Sequence, residues 1–128
     1  MTSKTIISLV VVVFLLPGFA GAGGVKQTDF QVETTQQLIN LCAATPDDPF
    51  YNHAMNFCQG YLVGAYHYYE AAHAGAGGPK MVCFSDPAPS RNQAINMFIE
   101  WAKENPQYWK ERPVDTEFRF LTEKWPCK

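Results

Sequence analysis

The stretch FCQGYLVGAYHYYEAAH, Phe57 to His73, decides how the rest of the chain is read. Extended back to Phe50, it sets Phe50, Ala54, Phe57, Tyr61, Ala65, Tyr68 and Ala72 at steps of three and four, the helical period and not the alternation of a strand. Cys58, Leu62 and Tyr69 widen this apolar stripe, so a helix opening between Phe50 and His53 is the expected central, most buried element. Tyr61 and Tyr68 fall on the stripe, while Tyr66 and Tyr69 flank it as candidates for exposure. Gly60 and Gly64 share one side. Interior glycine costs about 1 kcal/mol relative to alanine, so the pair predicts a shallow groove in which another helix packs closely.

The neighbouring segments carry the same period. Upstream, Val32, Leu38, Ile39, Leu41 and Cys42 predict a first helix ending near Ala44, opened by Thr28 with Gln31 three residues later, or in a shorter version by Thr34 or Thr35. The run TPDDP then breaks the chain. Downstream, Gly75, Gly77, Gly78 and Pro79 end the central helix and start a loop that runs to Pro89. Ser90 with Gln93 is a capping box for a third helix whose buried face is Ile95, Phe98, Ile99 and Ala102, stopped by Asn105 and Pro106. Pro113 suits the first position of a fourth helix carrying Val114, Phe118, Leu121 and Trp125. No convincing alternating strand is present. The expected fold is all-α, one domain over residues 23–128 built from four main helices.

The chain opens MTSKTIISLVVVVFLLPGFAGA, with one charge at Lys4, an apolar run from Thr5 to Leu16, and small residues Ala20 to Ala22. This is the pattern of a signal peptide cut after Ala22; the run is short of the roughly 20 apolar residues that a membrane span requires. Without Lys4, 9 basic side chains stand against 12 acidic ones, a net charge of 9 minus 12, or −3. So mild an acidic balance, with no basic cluster, gives no footprint for nucleic acid or an anionic membrane. Cys42, Cys58, Cys83 and Cys127 all lie in the exported part, which predicts two disulfides. No two of these cysteines sit at the short spacing of a zinc loop.

Chemistry is sparse. A thiolate at Cys58 is excluded if the cysteine is oxidised. His67, Glu70 and His73 form HxxExxH, but His67 and His73 are six apart and point to different sides of a helix, and no partner ExxH exists elsewhere. They read as polar residues on the wet side of the helix. Nothing resembles a phosphate loop or a Ser-His-Asp set. The expectation is therefore a non-catalytic protein without cofactor or metal.

Four features now occur in order: Leu38 to Cys42 closing the first helix, CQGYLVG at Cys58 to Gly64, Cys83 before a capped helix containing Gln93, and FLTEKWPC at Phe120 to Cys127. Together they resemble the Rap/Tai family of periplasmic immunity proteins, which protect bacteria against peptidoglycan-cleaving amidase effectors delivered by type VI secretion. The resemblance implies a small disulfide-bonded helical protein, often a homodimer, that inserts a protruding segment into the effector's active-site cleft. The chain departs from the pattern at His67 and in the long loop from Ala74 to Pro89. An up-and-down bundle favours pairing Cys42 with Cys58 and Cys83 with Cys127, with Cys42–Cys127 and Cys58–Cys83 as the alternative. The turn Asn105 to Arg112 is the expected contact surface, because Tyr108, Trp109, Lys110, Glu111 and Arg112 cluster there and aromatic and arginine side chains dominate interface energetics. The loop Gly75 to Lys80 is second. The rival readings are a periplasmic acid-stress chaperone, with three histidines and 12 carboxylates to respond to pH, and a metal or enzymatic role through His67, Glu70 and His73.

Overall fold

Thr34 decides where the first helix begins. The computed structural model describes residues 23–75 and 77–128, so the expected signal segment, residues 1–22, lies outside the described residues. Helix α1 spans Thr35–Cys42, with Thr34 as its cap: the Thr34 hydroxyl accepts from the Gln37 amide, and Gln37 Oε1 accepts from the Thr34 amide at 3.1 Å. The longer helix from Thr28 does not form. Gln27–Gln31 make a 3-10 turn instead, and Val32 follows in the left-handed region at φ 50°. A β-branched residue there costs on the order of 1–3 kcal/mol, which its burial at 8% exposure helps to offset. The turn also buries Asp29, whose carboxylate accepts from the Lys26 amide at 2.8 Å and the Asn40 side chain at 3.1 Å.

Asp48, in the proline-flanked break, accepts from the amides of Val25 and Phe50 at 2.7 and 2.8 Å. Helix α2 then runs from Tyr51–Ala72, α3 from Arg91–Glu104 and α4 from Pro113–Lys124, with a second 3-10 turn over Pro106–Tyr108. Helix α3 has the expected Ser90–Gln93 capping box and buries Ile95, Phe98, Ile99 and Ala102. Pro113 opens α4. Among the described residues there is no named strand, only an isolated antiparallel bridge between Val82 and Pro126.

Both disulfides take the favoured pairing, Cys42 with Cys58 and Cys83 with Cys127, at Cα separations of 5.1 and 4.9 Å. The first sets the roll of α2 about its axis. Cys58 must face α1, so the buried line is Ala54, Cys58, Leu62 and Tyr69. This narrows the expected stripe to its Ala54, Cys58, Leu62 and Tyr69 edge and turns the edge with Phe57 and Tyr68 towards solvent. Phe57 is 38% exposed and Tyr68 77%, whereas Tyr69 is 6% exposed. Both faces satisfy the helical period, and the cross-link selects one.

The second disulfide fastens the C-terminus. The Cys83 amide donates to the Trp125 carbonyl at 2.9 Å and the Cys127 amide to the Met81 carbonyl at 3.3 Å. Tyr69 reaches the same strap, its hydroxyl accepting from the amides of Met81 and Val82 at 2.6 and 3.1 Å. Above α2 the chain reverses through Gly75, at φ +70°, and Gly77, where a Cβ would lie 2.5 Å from the Ala72 carbonyl oxygen.

Candidate functional site

The turn Asn105 to Arg112 owes its shape to α1. The first amides of any helix lack partners within it. In α1 the Thr35 amide donates to the Glu111 carbonyl at 2.8 Å and the Gln36 amide to the Trp109 carbonyl at 3.0 Å. Beneath, Thr35 and Thr116, both fully buried, share a hydroxyl–hydroxyl hydrogen bond of 2.7 Å. The turn is thus held by main-chain bonds to one helix and continues directly into another.

Its side chains divide into two groups. Trp109 points inward against the core, and its indole Nε1 donates to the Ala102 carbonyl at 2.7 Å. Its work is structural. Tyr108, half-buried, stacks on Trp101 with centroids 5.7 Å apart and planes 12° off parallel. The Arg119 guanidinium carbon sits 4.4 Å from the Tyr108 ring centroid. Arg119 also pairs with Glu111 at 3.2 Å, and Trp101 Nε1 donates to Glu123 at 3.1 Å. Lys110 and Arg112 are exposed, Arg112 bridging to Asp115 at 2.8 Å.

The result is a surface patch whose ring and guanidinium are already in place. Such side chains lose less conformational freedom on binding than free ones, the usual route by which a preformed surface gains affinity. Trp101, Arg119 and Glu123 belong to this patch but lie outside the turn that the sequence singled out. Helical spacing held the signal, since Asp115, Arg119 and Glu123 recur every four residues on the outer face of α4.

The remaining candidates are scattered. Gly60 and Gly64 are exposed, and a Cβ on either would meet nothing within 4 Å. The expected close packing of a helix against them is absent within the described residues, because the roll of α2 turns this side to solvent. His67 and Tyr68 are exposed beside them. His73 is drawn back onto its own helix, Nδ1 lying 2.8 Å from the Tyr69 carbonyl and the ring 4.3 Å from that of Tyr69. Among the described residues no three His, Cys, Asp or Glu side chains come together as a metal site. In the loop that was the second expected contact, Gly75, Gly77, Gly78, Pro79 and Lys80 are exposed, with no aromatic anchor among them.

Glu117 is a polar group that the sequence reading passed over. It sits three residues after Val114 and four before Leu121, on the inner face of α4, and is 4% exposed. Burial alone pushes its carboxyl up to about 8. Tyr61, across on α2, is raised as well, first by its own burial and then by the neighbouring Glu117.

No helix among the described residues is long and apolar enough to cross a membrane. Comparison with curated proteins and with solved structures yields no match. The family model of the Rap1a immunity proteins does match, over residues 34–127, from the cap of α1 to the last cysteine, and the chain belongs to that family.

Proposed function

We propose that this protein is exported to the periplasm and neutralises a type VI secretion effector, a peptidoglycan amidase, by covering its active site. The family match over residues 34–127 carries the reading. Two disulfides and the apolar leader at residues 1–22 support export. The contact surface we assign is the patch of Tyr108, Lys110, Glu111 and Arg112, extended by Trp101 and Arg119. It combines an aromatic anchor with arginine, the side chains that most often dominate binding energy, on a backbone already fixed by α1. Self-association, which membership of such a family suggests, would use the open side of α2, where Phe57 and Tyr68 are exposed around Gly60 and Gly64.

The test is protection. Cells exporting an amidase effector from a neighbouring gene are expected to survive when this protein is co-exported, and the two proteins to co-purify. Tyr108→Ala combined with Arg119→Ala is expected to abolish protection while circular dichroism stays that of the wild type and stability falls by only about 1–3 kcal/mol, the worth of the lost stacking and cation–π contacts. Full protection by that folded variant would overturn the assigned surface. Suppression of protein aggregation at low pH, with no effector bound, would overturn the function in favour of a chaperone.

A further inference from the structure

Between α2, α3 and α4 lies a cavity of about 180 Å³. Its inner wall is apolar and buried, formed by Leu62, Ile95, Phe98 and Phe120, and its rim carries the exposed side chains of His67 and Arg91. Into this wall α4 sets Glu117, 4% exposed, with Oε2 lacking a hydrogen-bond partner among the described residues. Leaving such an atom unpaired costs stability. A single trapped water is a poor answer, because it needs two to four polar partners. Tyr66, which lines the same wall, is raised above its ordinary value by its own burial and then by Glu70 beside it. An apolar recess with a small number of placed polar groups is the usual form of a small-molecule site; here Glu117 is the buried one and His67 and Arg91 stand at the rim, and about 180 Å³ suits a single ring rather than a larger ligand.

We propose that this cavity binds a small neutral ring-sized molecule bearing a single hydroxyl, the ring against Leu62, Phe98 and Phe120 and the hydroxyl on Glu117. The volume is suitable, since an engineered apolar cavity of roughly 150 Å³ accepts benzene. The polarity is suitable as well. Burial keeps the carboxyl protonated at neutral pH, so it offers one O–H and one carbonyl oxygen. A hydroxyl answers both without bringing charge. An ammonium would have to shed its hydration and ionise the acid together, a cost that buried ion pairs recover only with further hydrogen bonds. The site faces away from any catalytic requirement and stands whether or not the neutralising role is correct.

The test is an amide NMR titration of the purified oxidised protein with phenol and, separately, with toluene. Phenol is expected to saturate in the millimolar range and to shift the amides of Leu62, Ile95, Phe98 and Glu117. Toluene is expected to bind roughly 2- to 10-fold more weakly, the worth of one net hydrogen bond. Glu117→Gln, which keeps a donor and an acceptor, should preserve the preference, and Glu117→Leu should erase it. If the leucine variant does not fold, Ala94→Phe, which narrows the cavity from α3, should remove phenol binding in its place. Shifts that do not saturate, shifts that map elsewhere, or toluene binding as tightly as phenol would overturn the proposal.

Discussion

Replacing Glu117 by glutamine removes one titration while keeping the shape of the side chain. In the folded protein burial lifts this carboxyl from 4.5 to about 8, whereas the unfolded chain titrates near the ordinary value. Between the two, the folded state keeps a proton that the unfolded state has released, so raising the pH favours unfolding. The contribution is fully present below 4.5 and is lost as the pH rises through about 8. Each pKa unit corresponds to about 1.4 kcal/mol, and the interval from 4.5 to about 8 therefore amounts to roughly 3–6 kcal/mol.

With a urea slope of about 1–3 kcal/mol per molar for a domain of this size, the midpoint of the wild type should fall by roughly 2 M relative to Glu117→Gln between about pH 5 and pH 9. Tyr61, Tyr66 and His67 from α2, Arg91 from α3 and Asp115 on α4 are the other ionisable neighbours, and α1 has none. These side chains are the same in both proteins, and Tyr61, held above its ordinary value of 10.0 by burial and then by Glu117, keeps its proton across this window. Circular dichroism against urea at several pH values measures it. Parallel losses of stability in the two proteins would refute the reasoning.

Thr116→Val keeps the volume but deletes one end of the buried bond to Thr35; a loss of about 1–2 kcal/mol is expected in urea denaturation, moderated because Thr35 Oγ1 still donates to the Glu111 carbonyl. Opening the Cys83–Cys127 bridge, which spans a sequence separation of 44, should cost about 4 kcal/mol, and opening Cys42–Cys58, with a separation of 16, about 3 kcal/mol. Thiol labelling of the native protein should find no free sulfhydryl, and reduction should lower the melting temperature accordingly. Gly60→Ala places a methyl in open space on a helix, so the unfolding midpoint should rise by the equivalent of about 0.5–1 kcal/mol. Gly60→Leu, by contrast, should shift any dimer towards monomer in light scattering if the open side of α2 is the self-association surface.

The helical period was legible wherever one face alone is apolar. Helix α3 shows this, with the capping pair Ser90 and Gln93 and every residue of its expected buried face in place. Where two faces are apolar, periodicity is silent about which turns inward, and α2 is that case. Phe57 and Cys58 are adjacent and both apolar, yet Phe57 is 38% exposed and Cys58 is fully buried. The exposed glycines follow from the same ambiguity. Their spacing was readable, but the absence of a neighbour was not. Trp109 shows the parallel difficulty at the candidate surface. An aromatic in a turn can serve binding or packing equally, and the Ala102 carbonyl that accepts its indole N–H decides for packing.

The amino-acid sequence by itself determined the fold class, the positions of the helix breaks, the even set of cysteines and the family, because each depends on local propensity or on residues close along the chain. Tertiary structure alone decided the roll of α2, the anchoring of the Asn105 to Arg112 turn on the open amides of α1, and the burial of Glu117 beside a cavity. These depend on which groups from distant segments meet, as when the Thr35 amide finds the Glu111 carbonyl at 2.8 Å. A single helical period is compatible with many such meetings, and the cross-links together with the packing of four helices select one.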